Sequence, residues 1–168
     1  MILSRMAKSF LLVAVVLVAS APFDRSQSAT PPRVVGACNP TKVKFALSTH
    51  DTGTASTSPV NITETGMNFT QAKTGCVIVD FQASTGLSDP PPGAMFIRAV
   101  LTQGGGEALT VRPEMVRLSF SSSDFDTRTL EFVFPNVTPG SYVLRMQVNS
   151  SNGGGVSVDF PNTVVRYD

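Results

Sequence analysis

The chain has 168 residues, of which 42% are hydrophobic and 15% are charged, and its formal net charge is +1. Lys and Arg (13) nearly balance Asp and Glu (12), so the composition indicates neither a basic surface for nucleic acid nor an acidic tail. Trp is absent, whereas Gly and Pro are frequent, which is typical of short strands joined by tight turns.

The N-terminal sequence predicts export. A basic start with Arg5 and Lys8 precedes the apolar run 10–19, which is too short to span about 30 Å of hydrocarbon as a helix. Small residues follow the run and place cleavage within 20–29, so we interpret residues 1–29 as a secretory signal peptide. An uncleaved anchor is the alternative. After cleavage we expect no stable membrane insertion and a periplasmic or extracellular location.

A short leader and one domain are predicted to follow. Residues 30–37 have little periodicity and predict a flexible leader, and residues 38–168 are long enough for a single domain with a core of its own. The two cysteines, Cys38 and Cys76, are expected to form one disulfide in an oxidising compartment. Closing that loop would stabilise the fold by roughly 4 kcal/mol. Two cysteines and a single histidine fall short of four zinc ligands, so no metal is expected there.

One alternative concerns Cys38 itself. The segment Val35-Gly-Ala-Cys38 resembles the lipobox of bacterial lipoproteins, in which the cysteine is acylated and becomes the new N-terminus. A lipobox directly follows the apolar run, whereas charged residues and prolines intervene here. Acylation would also leave Cys76 without a partner.

The first half of the domain predicts three strand regions. Val43, Phe45 and Leu47 alternate with lysines and Ala46, which is the period-2 pattern of a half-buried strand. A Ser/Thr-rich loop over 48–59 leads to a weaker strand region over 60–69. A strong strand covers 76–83, where one face holds Val77, Val79 and Phe81.

The second half contains seven further short strand patterns. The proline-rich segment 89–93 excludes regular structure because proline lacks the N–H donor. Strand patterns then cover 94–101, 109–111, 115–120, 130–134, 142–148, 156–158 and 163–167. We therefore predict an all-β, two-sheet antiparallel β-sandwich of about eight strands, immunoglobulin-like or jelly-roll-like.

The alternation also predicts which residues form the core. Tyr142, Leu144, Met146 and Val148 should share a buried face. Opposite them we expect either the strand with Leu130, Phe132 and Phe134 or the strand with Val77, Val79 and Phe81.

One segment carries a family resemblance. Phe134-Pro-Asn-Val-Thr-Pro-Gly-Ser-Tyr-Val-Leu-Arg-Met-Gln-Val148 resembles the penultimate corner of immunoglobulin-like and fibronectin-type sandwiches. In such a corner Pro139-Gly140 occupies a tight turn, and Tyr142 buries its ring while its hydroxyl reaches the backbone.

A longer stretch is similar to poorly characterised exported bacterial sandwich modules. The matching pieces are Cys76-Val-Ile-Val-Asp-Phe81, Phe96-Ile-Arg-Ala-Val-Leu101 and Asn162-Thr-Val-Val-Arg166. This resemblance implies a bacterial envelope or secreted protein without an assigned activity.

Few residues suggest chemistry. His50, beside Asp51, would need a nucleophile and an oxyanion site to act as a base, and no Gly-x-Ser-x-Gly elbow is present, so we interpret it as a solvated loop histidine. Asp124 and Asp126 have the alternate spacing of calcium loops, but calcium takes six to eight oxygens, so a polar loop is favoured. We expect Arg98 to face outward, with a buried, paired arginine as the alternative.

Four Asn-x-Ser/Thr sequons could accept glycans only in a eukaryotic secretory path: Asn61, Asn68, Asn136 and Asn149. With a bacterial source, as the resemblance implies, they are ordinary strand and turn residues.

The sequence therefore predicts an exported, non-enzymatic β-sandwich without a cofactor, acting as a binding or structural module at the cell envelope. Its partner, a protein or a glycan, is unknown. The alternative is a carbohydrate-binding module, with calcium as an aid. A third hypothesis, an enzyme with His50 as base, requires serine and acid partners around that side chain.

The first prediction concerns processing. We expect the exported protein to start between positions 21 and 30 and to contain a Cys38–Cys76 bond. Intact mass spectrometry with and without reduction, followed by alkylation, measures both properties. A lipid adduct on Cys38, or two free thiols before reduction, would contradict the prediction.

Overall fold

A computed structural model describes residues 38–88 and 93–168. Every regular element in these residues is a β-strand. The predicted signal peptide, the leader and the prolines of segment 89–92 lie outside the described residues. The strands are β1 (Lys42–Leu47), β2 (Thr52–Thr54), β3 (Val60–Asn61), β4 (Met67–Gln71), β5 (Gly75–Leu87), β6 (Gly93–Gln103), β7 (Val116–Phe120), β8 (Asp126–Val137), β9 (Gly140–Ser150) and β10 (Val156–Tyr167). Among these residues, no helix is long and apolar enough to cross a membrane.

The strands form two antiparallel sheets of five strands each. The first has the order β1-β10-β5-β8, with β2 also paired to β10, and the second has the order β3-β9-β6-β7, with β4 also paired to β9. Because β1 and β2 lie along successive parts of β10, and β3 and β4 along β9, ten strands fill four positions in each sheet. The predicted sandwich is confirmed. Its strand order, in which the chain passes repeatedly between the sheets, is that of the jelly-roll alternative.

The core lies between the two sheets, as the alternation predicted. Tyr142, Leu144, Met146 and Val148 on β9 are all at most 1% exposed. They belong to the second sheet, and the first sheet contributes the other side of the core: Val77, Val79, Phe81, Phe132 and Phe134, again at most 1% exposed. Leu130 is only partly buried and packs against this cluster.

Tyr142 is fixed at both its ring and its hydroxyl group. Its ring is buried, and its hydroxyl donates a hydrogen bond to the Thr138 carbonyl oxygen at 2.8 Å. The turn before it is built around Gly140, whose φ of +157° is a conformation that residues with a Cβ atom rarely adopt, so glycine is favoured at that position.

The prediction for β1 is wrong. Val43, Phe45 and Leu47 are 61%, 69% and 64% exposed, although the pattern indicated a half-buried strand. β1 lies at the edge of the first sheet, so the lysines on its inner side lie at the open rim of the sandwich rather than in the core. There Lys44 Nζ donates to the Asn68 carbonyl oxygen of β4 at 2.8 Å, and the apolar residues point to the outer face.

Three other boundaries differ from the sequence pattern. Residues 109–111 form no strand, because this segment leaves the sheet. The predicted strands 156–158 and 163–167 are one strand, β10, which continues through a bulge between Asp159 and Asn162. The loop 48–59 contains the short strand β2.

The second prediction tests the assignment of faces on β9. Leu144→Ala should lower the free energy of unfolding by about 2–5 kcal/mol, because it removes buried contacts and leaves a cavity. Arg145→Ala, one position along on the exposed face, should change it by no more than about 0.5 kcal/mol. Urea denaturation of both variants measures the difference. A larger loss for Arg145→Ala would mean that the faces are reversed.

Candidate ligand-binding site

The predicted disulfide is present. Cys38 and Cys76 are bonded, with their Cα atoms 5.4 Å apart, and the bond joins the residues before β1 to the start of β5. A bonded cystine has no thiol, so this pair acts on stability rather than as a reactive site.

His50 has a partner that the sequence did not reveal. Its Nδ1 lies 3.1 Å from Glu64 Oε2, and Ser48 Oγ donates to the same carboxylate oxygen at 3.0 Å. The Ser48 hydroxyl also accepts the His50 backbone N–H at 3.0 Å. The Ser48 hydroxyl and the His50 imidazole therefore share one acceptor, Glu64 Oε2, and the hydroxyl does not donate to the imidazole. In a triad the imidazole would accept the serine proton, so this is not triad geometry.

The possible calcium loop offers little. Asp126 Oδ2 forms an ion pair with Arg128 at 2.7 Å, which occupies one of the two carboxylates proposed for the ion. Asp89, another possible ligand, lies outside the described residues. Within the described ranges, no group of three or more His, Cys, Asp or Glu side chains is arranged to hold a metal.

A gap interrupts the edge of the second sheet beside β6. The β6–β7 ladder ends at the pair Ile97–Val116, and pairing resumes only where the Leu109 N–H bonds to the Leu101 carbonyl oxygen at 2.8 Å. Between these points the chain crosses to the first sheet, where Arg112 exchanges backbone hydrogen bonds of 2.9 and 2.7 Å with Val133 of β8. This detour leaves one side of β6 without a neighbouring strand.

The alternation of β6 shows which backbone groups face the gap. The Ser151 N–H bonds to the Ala94 carbonyl oxygen at 2.9 Å, so the even-numbered residues of β6 direct their N–H and C=O groups toward β9. The odd-numbered residues point the other way. Ala99 therefore turns its N–H and C=O into the gap, where no described residue pairs with them.

Arg98 lies beside this open backbone and is held in place by two amides. Its Nε donates to Gln147 Oε1 at 2.8 Å, and Gln147 Nε2 donates to Asn61 Oδ1 at 2.9 Å. These three side chains form a hydrogen-bonded row across β6, β9 and β3 on the outer face. The row fixes the guanidinium by its Nε edge, and among the described residues no acceptor bonds its two Nη atoms.

The gap encloses a cavity of about 360 Å³. Its lining combines apolar side chains with a few polar groups: Arg98, Ala99, Val100, Ala108, Leu109, Thr110, Val111 and Glu114. We call this cavity and its lining the gap site. Apolar walls with a small number of fixed polar groups are the usual construction of a small-ligand site.

The charged groups of the gap site determine which ligand groups it suits. A guanidinium with two open Nη groups suits a planar carboxylate, which accepts two parallel hydrogen bonds. The Glu114 carboxylate is exposed and lines the same cavity, where it can accept hydrogen bonds from donors on a ligand. The charged groups suit the binding and orientation of a polar ligand, and no residue that lines the cavity is a nucleophile paired with a base.

A larger cleft, of about 480 Å³, lies along β4 and the start of β9, with Lys44 of β1 at its side. Its cationic group, Lys44, already donates to the Asn68 carbonyl oxygen. The gap site is the better candidate because its charged group is held in place and still open.

The sequence singled out Arg98 but not its partners. Its outward orientation was predicted, whereas Gln147 and Asn61 are adjacent to it only through the sheet register. No local sequence pattern indicates that the Ala99 N–H and C=O lack strand partners, since this results from the crossing of residues 110–115 to the first sheet.

The comparisons with known proteins identify a fold. No family model matches the chain, and no curated protein matches it. A chain of the T13 IBDV viral particle is similar in structure, with a TM-score of 0.56 and 12% identity over 82% of this chain and 34% of that one. The VP2 subviral particle of infectious bursal disease virus gives a TM-score of 0.52 and 12% identity over 82% of this chain and 36% of that one.

A smaller protein also matches. TmCBM61, solved in complex with β-1,4-galactotriose, has a TM-score of 0.40 and 10% identity over 73% of this chain and 86% of its own. The chain spans about a third of the two viral chains. At 12% identity the similarity to the two viral chains establishes the two-sheet fold alone.

The third prediction concerns Glu64. The hydrogen bond from His50, and then that from Ser48, lowers the pKa of the Glu64 carboxyl below its ordinary value of 4.5. His50→Ala should raise that pKa, because the larger of the two interactions is lost. Any stabilisation from this group is present above its unfolded-state pKa and disappears as the pH falls through the lower folded-state pKa.

Carbon-detected NMR titration of the Glu64 carboxyl in both proteins measures the shift. Because the carboxyl is at the surface, we expect His50→Ala to leave the unfolding transition at pH 7 unchanged. An unaltered Glu64 pKa would contradict the assigned partner.

Proposed function

We propose that this protein is an exported, non-enzymatic β-sandwich that serves the cell envelope as a binding module, with its ligand bound at the gap site. The observation that carries the proposal is the open polar pair: the two Nη atoms of Arg98 and the Ala99 backbone edge. The N-terminal sequence pattern supports export. So does the Cys38–Cys76 disulfide, because structural disulfides persist in oxidising compartments.

The ligand of this proposal carries a carboxylate flanked by hydroxyl or amide donors. The carboxylate would accept from Arg98, while its neighbouring donors reach the Ala99 carbonyl and Glu114. A bare anion suits the site less well, since Glu114 would repel it. Leu109 and Val111 supply apolar walls for the carbon skeleton of the ligand.

The arrangement around His50 supports a non-enzymatic role. Ser48 and His50 both contact Glu64 Oε2, at 3.0 and 3.1 Å, so the imidazole is not placed to take the serine proton. The gap site, in turn, binds through a guanidinium and a backbone edge, groups that recognise a ligand without transferring a proton at neutral pH.

A carbohydrate-binding module is the second candidate. The mixture of apolar walls and hydrogen-bonding groups in one cavity favours it, provided that the carboxylate belongs to an acidic sugar. A calcium-assisted version receives no support from Asp126, whose carboxylate pairs with Arg128 at 2.7 Å.

The fourth prediction tests the site and separates these candidates. Isothermal titration calorimetry of the disulfide-bonded protein uses three probes: an oligogalacturonate, a neutral oligogalactoside and an acidic peptide. Arg98→Gln should weaken binding of a carboxylate probe about tenfold or more, because a hydrogen bond to a charged group contributes about 1.5–3 kcal/mol. Arg117→Gln is the matched control, since Arg117 is exposed on β7 of the same sheet and does not line the gap.

The two acidic probes separate the candidates, and the neutral oligogalactoside is their uncharged control. Binding of the oligogalacturonate alone favours the carbohydrate candidate, and binding of the peptide alone favours a protein partner. Failure of all the acidic probes, or equal losses in the two arginine variants, contradicts the gap site as the place of binding.

A further inference from the structure

The outer side of β1 carries an apolar row that the sandwich does not use. Val43, Phe45 and Leu47 are more than 60% exposed, and all three point away from the core on one strand. Long apolar side chains in a row on an edge strand are unusual in a protein that stays alone in water, because such an edge readily pairs with another strand.

The backbone of the same residues is open as well. β1 pairs with β10 on one side, and no described strand pairs with its other side. The Ser48 N–H bonds to the Pro161 carbonyl oxygen at 2.9 Å, so the even-numbered positions of β1 direct their backbone groups toward β10. Val43, Phe45 and Leu47 therefore direct their N–H and C=O groups to the free edge. Each of them offers a side chain and a pair of backbone groups to an incoming strand.

We propose that β1 pairs with β1 of a second copy of this chain, antiparallel and centred on Phe45. In this register Phe45 lies opposite Phe45 of the second copy, and Val43 lies opposite Leu47. The N–H and C=O groups of Val43, Phe45 and Leu47 point to the free edge, so each facing pair of these residues exchanges two hydrogen bonds. The contact is symmetric: the same row of three residues faces itself across a two-fold axis.

The lysines of β1 select both the partner and the register. Centring on Phe45 places Lys44 opposite Ala46 and Lys42 opposite Ser48, so no two lysines face each other. Centring the pair on Val43 would place Lys42 directly opposite Lys44, and centring it on Lys44 would oppose that residue to itself. Like charges that face each other across strands are destabilising, so these registers are disfavoured.

The same lysines make an unrelated strand with bulky inner residues a poor partner. Lys42 and Lys44 sit on the inner side of β1, where an added strand would cover their stems, and charged residues in such positions oppose edge pairing unless the facing residues leave them access to water. In the self-pairing register they face only Ala46 and Ser48, whose small side chains leave room for the ammonium groups to reach water. The contact involves one strand from each copy, so we expect a concentration-dependent equilibrium rather than a permanent dimer.

The experiment is sedimentation velocity of the disulfide-bonded protein over a wide range of concentration. The decisive variants are V43K/L47E and V43K/L47K, which differ at one position. In the proposed register the first pair places Lys opposite Glu twice, and the second places Lys opposite Lys twice. We expect the wild type and V43K/L47E to associate, and the dissociation constant of V43K/L47K to be about tenfold higher than that of V43K/L47E.

Controls keep the result interpretable. Met115→Lys removes an exposed apolar residue that is not on β1, and it should associate like the wild type. Thermal unfolding of each variant verifies the fold. Because the substituted residues are exposed, each variant should keep a cooperative unfolding transition. A wild type that stays monomeric at every concentration overturns the proposal, as does equal association of the two charge variants. Arg98→Gln should dimerise normally, so failure of the gap site and failure of this contact are distinguishable.

Discussion

The structure depends on the burial of two alternating side-chain faces against each other. Residues at every second position of β9 meet those of β5 and β8 across the sandwich, and this layer contains the largest fully buried side chains. Each such side chain stabilises the fold by roughly 1.5–3 kcal/mol on burial. Since the alternation has period 2, one buried face fixes the opposite face as the outer one. Arg98 and Gln147 owe their outward positions to this constraint.

The gap site is a consequence of how the chain connects the two sheets. Arg112 pairs with Val133 in the first sheet, so the chain between Leu109 and Val116 is not available to pair with β6. The Ala99 N–H and C=O thereby lose their strand partners, although Ala99 itself is only 3% exposed. A buried backbone group without a partner costs about 1–3 kcal/mol. Proteins usually retain such unsatisfied groups where water or a ligand can bind, and this supports a functional role for the gap.

Much of this fold could be predicted from the sequence, because the long strands repeat their apolar residues at every second position. The buried rows through Val79 and Leu144 were predicted in this way. The Cys38–Cys76 bond was predicted from the cysteine count instead. The outward Val43, Phe45 and Leu47 could not be predicted, since alternation reveals two faces without telling which one meets the core. Arg98 was recognised as outward-facing, but its row depends on Gln147 and Asn61, which are brought beside it by pairing between distant strands. Likewise Glu64 is joined to His50 by tertiary structure alone.

Amide hydrogen exchange at Ala99 is the most direct test of the interrupted ladder on which the binding account depends. The account predicts that the Ala99 N–H exchanges much faster than the Met95 N–H, which lies in the β6–β7 ladder opposite Leu118. It also predicts that a bound carboxylate ligand, with an oligogalacturonate as the probe, slows exchange at Ala99. Equal protection of Ala99 and Met95 in the free protein would contradict the open edge, and with it the gap site.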